Sequence, residues 1–284
     1  MLTRKEAISF LKIPEKHFDN YFKISKEIAG TKEGNRFKFN QAALTQWAEQ
    51  RDHNTVKLSL AEYQECFEFA IKMAYSTNSR HGTGIRGQRS EVQMADDFIM
   101  GILAERGVAK FMKERFGIDV GLDMEVHPEK ITPQDIVYIM NGTKKEPPKL
   151  NVGIKSSKMK NCFNIIDPLE YENEERKSDV YIFARVDLPS DHLFRILRDH
   201  SFFKTVREFL EKEENFRKIG SLESVPVWVC GFSYSNEFEK VREIPNQKFD
   251  GERYVKRVGE MHHSAEEWKE LVSKMQSSPE VLTD

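Results

Sequence analysis

Two short apolar runs lie in the middle of this chain, one bounded by an acid and the other by a lysine. PQDIVYI holds Asp135 near its start, and LNVGIKSSK holds Lys155 twenty residues further on. Runs this short, rich in Ile and Val, read as strands. If the two strands are neighbours, a carboxylate and an ammonium meet at their ends, and the rest of the fold has to permit that meeting.

The surrounding sequence reads as an α/β protein built on a mixed central sheet flanked by helices. Residues 91–116 give the longest helical pattern, with Phe98, Ile99, Ile102, Leu103, Val108, Phe111, Met112 and Phe116 on one side and Gly117 as its stop. VGLDMEV, DIVYIM, LNVGIK, CFNIID, DVYIFARVDL and PVWVCGF follow as strands, with helical stretches near 191–216 and 264–275. Ser59 to Tyr75 is an amphipathic helix. The segment after it, STNSRHGTGIRGQRS, is a basic surface loop, and its arginines Arg80, Arg86 and Arg89 either belong to a linker or lie on DNA phosphates and base edges.

The first fifty residues have a different pattern. TRKEAISFLK begins with a Thr whose third following residue is Glu6, a capping box. Pro14 then opens a second short helix, AGTKEGNRFKF forms a hairpin, and NQAALTQWAEQR is a third helix capped by Asn40. The net charge of −2 conceals a polarity along the chain. Residues 1–57 hold eleven Lys/Arg against seven Asp/Glu, a balance of +4, which leaves −6 for residues 58–284. A basic head on an acidic body suits a DNA-binding module joined to a domain that stores carboxylates for metal ions.

No apolar run has the length needed to span a bilayer, and the start of the chain is polar and periodic. A cytoplasmic protein with no membrane partner is expected. Cys66, Cys162 and Cys230 lack metal-ligand or redox spacing and read as buried thiols. Neither HExxH, nor a GxSxG elbow, nor a phosphate-binding lysine motif is present.

The Asp135–Lys155 pair resembles the metal-and-lysine core of the PD-(D/E)xK nucleases, the superfamily of most Type II restriction endonucleases. That resemblance implies a restriction-endonuclease-like fold on residues 58–284 and Mg²⁺-dependent cleavage of double-stranded DNA by a homodimer. Asp135 would hold the metal with the Ile154 carbonyl, and Lys155 would orient the attacking water. Glu105, in GILAERGVAKF, is placed like the glutamate that the first core helix of these nucleases directs at the metal. Gly153 departs from the pattern, which asks for an acid two residues before the lysine. The missing acid can come from further along the chain, where DPLEYENEE offers Asp167, Glu170 and Glu172, with Glu170 preferred. Ser156, Ser157 and Lys158 extend the lysine strand as phosphate contacts.

Residues 2–51 resemble the winged helix-turn-helix of the excisionase and MerR type, giving an N-terminal domain on residues 1–57. The resemblance implies a second helix presenting Lys16, His17, Asn20 and Lys23 to the major groove, and a wing placing Arg36 and Lys38 on phosphate or in the minor groove. Glu15 and Asp19 make that helix less basic than usual, and a module that docks protein is the alternative. Two further functions stay open on the sequence. One is a non-restriction nuclease of the same fold, in repair or mobile-element processing; the other is a DNA-binding regulator without catalysis, which Gly153 would fit.

Overall fold

The computed structural model describes residues 1–75, 90–125, 134–212 and 218–276. The chain opens with β1 (Leu2–Thr3), α1 (Arg4–Leu11), α2 (Glu15–Asp19) continued by a π-turn over Asn20–Ile24, the hairpin β2 (Thr31–Glu33) and β3 (Arg36–Phe39), and α3 (Gln41–His53). Thr3 and Glu6 form the expected reciprocal cap, and Asn40 accepts the N–H groups of Ala42 and Ala43. Next come β4 (Thr55–Ser59), α4 (Leu60–Ala74), α5 (Glu91–Phe116), β5 (Val120–Leu122), β6 (Ile136–Asn141), β7 (Lys144–Glu146) and β8 (Val152–Lys158). The remainder comprises β9 (Phe163–Ile166), α6 (Pro168–Tyr171), β10 (Val180–Val186), α7 (His192–Leu197), α8 (Ser201–Leu210), β11 (Ser224–Tyr234), β12 (Glu239–Ile244), β13 (Gln247–Arg257) and α9 (Ala265–Gln276).

The central sheet runs β4-β11-β10-β8 and is mixed, as expected. β10 is parallel to β8 and antiparallel to β11, which is antiparallel to β4. β10 is buried at every position, as a strand covered on both faces must be. One face packs on α4, α5 and α9 through Leu58, Leu103, Phe111, Ile154, Ile182, Val227, Trp268 and Leu271. α5 lies very close to β11: a Cβ on Gly107 would stand 2.4 Å from Val227 Cγ1, so a glycine is required there.

The other face is covered by the N-terminal unit. Ala7, Leu11, Phe18, Tyr21, Phe22, Phe39 and Leu44 share one apolar cluster with Phe183, Trp228, Cys230, Val258 and Met261. At its centre Arg185, fully buried, makes two 2.8 Å bonds to the Glu27 carboxylate and lies between the rings of Tyr21 and Trp228, at 4.7 and 4.6 Å. β4 straddles residue 57, so the chain passes from the N-terminal unit directly into the sheet.

Two features were not foreseen from the pattern. β4 is a five-residue strand whose Val56 and Leu58 are the only strong apolar signal in it. The β12–β13 hairpin, joined to β9, has mostly partly exposed positions and so lacks the apolar alternation that marks a strand. The three cysteines are buried and free. Among the described residues, no helix is long and apolar enough to cross a membrane.

Breaking the Arg185–Glu27 pair leaves a buried guanidinium without its counter-ion. Glu27→Leu is expected to lower the unfolding free energy by about 3–5 kcal/mol, and adding Arg185→Met should recover part of it. Urea denaturation of both variants checks this. A Glu27→Leu protein as stable as the wild type would show that the pair does not hold the layers together.

Candidate active site

The site is built on the free side of β8. Along one side the strand is paired in register with β10 from Val152–Val180 to Lys158–Val186. On the other side, the Asp135 N–H donates to the Val152 carbonyl at 3.2 Å, and the Ile154 N–H donates to Asp135 Oδ2. The N–H and C=O of one strand residue point the same way, so the Ile154 carbonyl faces the Asp135 edge as well.

Lys155 is one residue further and three-quarters buried. Its ammonium sits on both oxygens of Glu170, at 2.7 and 2.8 Å, with the Tyr181 ring 5.9 Å away. Glu170 comes from α6, whose start is fixed by Pro168 and by the Asp167 side chain accepting the Leu169 N–H. The other two acids of that segment are engaged elsewhere. Asp167 caps the helix and faces Arg253 at 3.6 Å, and Glu172 binds Lys240 and Tyr254 at 2.8 and 2.9 Å.

Gly153 has a steric explanation. A Cβ there would stand 2.7 Å from Ser178 Oγ and 3.1 Å from the Tyr181 ring, so any side chain at that position requires both neighbours to shift. Glu170 supplies the carboxylate beside Lys155 instead.

Glu105, on α5, faces the same edge. Burial, then the charge of Asp135, pushes its carboxyl well above the usual range, with Lys155 opposing. Asp135 is raised too: burial dominates, Glu170 and Asp123 add to it, and Lys155 and the Ile154 N–H counteract. Burial alone would lower the Lys155 ammonium, but Glu170 and Asp135 outweigh it and the pKa is raised. Lys155 is therefore a cation at neutral pH.

Asp123 is a residue that the sequence reading missed. It follows β5, and the Leu122–Ile136 pairing sets it opposite Asp135. Its charge acts on both Glu105 and Asp135, and its side chain accepts the Glu125 N–H at 3.1 Å. The signal was present, since Asp123 adjoins an apolar run as Asp135 does.

The residues expected to touch DNA have more varied positions. Ser156 and Ser157 are half-buried, and Ser157 Oγ accepts from the Asn161 amide, whereas Lys158 is exposed. Lys16 is exposed. His17 is half-buried, and its imidazolium is disfavoured by burial, with Arg185, Lys16 and Lys160 adding to the effect and Asp187 opposing it. Lys23 is exposed and 3.4 Å from Asp19. Asn20 is half-buried, and one hydrogen of its amide donates to the Lys160 carbonyl at 2.7 Å. Arg36 is exposed on the hairpin and Lys38 half-buried beside Thr3. Arg80, Arg86 and Arg89 lie outside the described residues.

Among the described residues, no three His, Cys, Asp or Glu side chains are already gathered as a metal cluster. The donor set is nonetheless of the right kind for a hard cation: carboxylate oxygens of Asp135 and Glu105, with the charge of Asp135 raising the proton affinity of Glu105, and a backbone carbonyl between the strands. The site lies at a sheet edge. A small cavity of about 70 Å³ opens elsewhere, between the N-terminal unit and the sheet, lined by Trp47, Arg51, Trp228 and His263 among others. No protein-family model, curated protein or solved structure matches the chain.

A carboxyl with a raised pKa contributes stability that is complete below its unfolded pKa and is lost as pH rises through the folded one. Glu105→Gln is thus expected to raise the melting temperature at pH 8.5 in chelator, and to leave it nearly unchanged at pH 4. Thermal melts at the two pH values check this; an equal shift at both would show that Glu105 is not held protonated.

Proposed function

We propose that the chain is a Mg²⁺-dependent nuclease of the PD-(D/E)xK kind, cutting double-stranded DNA at specific sites as Type II restriction endonucleases do. The observation that carries this reading is the Lys155 ammonium seated on Glu170, beside Asp135, with Glu105 facing the same strand edge. A lysine and three carboxylates, drawn from the middle of β8, the start of β6, α5 and the short helix α6 after the lysine strand, make the donor set that phosphodiester hydrolysis needs.

When bound, Mg²⁺ would supply a polarised water and charge neutralisation at a non-bridging phosphate oxygen. Asp135, Glu105, Glu170 and the Ile154 carbonyl are the groups that would hold it. Glu170 has a second task, which is to fix the Lys155 Nζ and keep it charged. A lysine that stays protonated cannot take the proton of the attacking water. It can orient that water and stabilise the charge growing on the phosphate oxygens. The proton of that water then passes to solvent.

The location of Glu170 favours this reading over a regulator that has lost catalysis. Gly153 marks a relocated acid, because Tyr181 and Ser178 occupy the space and Glu170 reaches the lysine. The N-terminal unit has the order of elements of a winged helix-turn-helix, and its exposed Lys16, Lys23 and Arg36 suit the phosphate contacts of that family. Cutting both strands of a symmetric site would call for two copies of the chain.

Incubation of the protein with phage DNA and Mg²⁺ is expected to give discrete bands. Lys155→Ala should lower cleavage by about 100-fold or more while leaving DNA binding in Ca²⁺ intact. Asp135→Asn and Glu170→Gln should do the same. Near wild-type cutting by Lys155→Ala would refute the assignment of β8, and with it the nuclease reading.

A further inference from the structure

Resting on that reading, we infer that the second N-terminal helix and the turn between β8 and β9 form one DNA-contacting surface continuous with the cleavage site. The bases met by the N-terminal unit then lie within a few base pairs of the cut.

The turn is fixed from both sides. Its three successive carbonyls are all engaged: Met159 O accepts from the Tyr21 hydroxyl at 2.7 Å, Lys160 O from the Asn20 amide at 2.7 Å, and Asn161 O from Arg185 Nε at 2.8 Å. Two of these donors belong to the π-turn that continues α2, and the third is the arginine that binds Glu27. Cys162 Sγ adds a contact to the Asn20 carbonyl at 3.6 Å. The N-terminal unit is thus secured at the end of the strand that carries Lys155.

The backbone of the turn is held inward while its lysines face solvent. Lys158 and Lys160 are exposed, as is Lys16 on α2, and the half-buried His17 lies within the field of both Lys16 and Lys160. The acids of α2 do not cancel this charge. Arg4 binds Glu15 at 2.7 Å and Asp19 at 2.8 Å, and Lys23 stands 3.4 Å from Asp19. Asp187 is the acid whose charge reaches His17 from the β10 side.

The distances suit one short piece of duplex. Three residues of strand separate Lys155 from Lys158, about 10 Å. At 3.4 Å per step, that is about three base pairs of DNA. A protein with this geometry does not read at one place and cut a helical turn away. Asn20 positions the surface through its bond to the Lys160 carbonyl.

Photo-crosslinking tests this with three single variants, Lys16→Cys, Lys155→Cys and Lys160→Cys, each alkylated with a photoreactive bromide; the native thiols are buried. The probe is the set of bacteriophage lambda DNA fragments retained by the protein in Ca²⁺, with adducts mapped by primer extension. The expected result is three adducts within about five base pairs of one another. A Lys16 adduct ten or more base pairs from the Lys155 adduct would overturn the inference, as would crosslinking from Lys155 without any from Lys16 or Lys160. Cleavage by the unmodified protein in Mg²⁺ is scored separately. Clustered adducts on DNA that is never cut would sustain the surface and reject the nuclease reading, whereas retention of no fragment would reject both.

Discussion

β8 is hydrogen-bonded along its whole length on one side only. Pairing with β10 fixes its register and leaves alternate N–H and C=O groups facing outward at Val152 and Ile154. Asp135 is held by those groups, through its own N–H and through its carboxylate. The same pairing fixes where Lys155 emerges, where the turn after Lys158 can go, and how much space remains beside Gly153. A shift of one residue would send Lys155 to the opposite face and leave Asp135 without its backbone partner.

Much of the candidate site was legible because its parts lie in short apolar runs, where pattern and chemistry coincide. Asp135 and Lys155 stand at the edges of such runs, and Glu105 lies in a strongly periodic helix. Glu170 could be chosen over Glu172 only because adjacent residues on a short turn seldom face the same way, and the contacts of each acid agree with that choice. What could not be read was the reason for Gly153. It depends on Ser178 and Tyr181, 25 and 28 residues further along the chain, which the β8–β10 pairing brings against Gly153.

The N-terminal unit shows the limits of pattern more clearly. Its helices, hairpin and caps follow local rules, and they form where the sequence places them. The destination of its apolar face is not a local property. Tyr21 and Phe22 could equally have closed a small independent core, and only Arg185 and Trp228, far along the chain, show that they cover the back of the sheet. The partner of Asn20 was illegible for the same reason, since it is a backbone carbonyl 140 residues away.

That covering has a consequence for how such a protein can change. An arginine buried between Tyr21 and Trp228, bound to a glutamate from the other layer, makes the head and body halves of one cooperative unit. Recognition cannot then be altered by exchanging the first fifty residues for those of another protein, as it can where a reader hangs on a linker. Removing them would bare Phe183, Trp228 and Cys230 to water, and the expected product is an aggregate instead of a smaller enzyme. New specificity has to come from substitutions on a surface whose supporting core stays fixed, so in this architecture stability and recognition must change together.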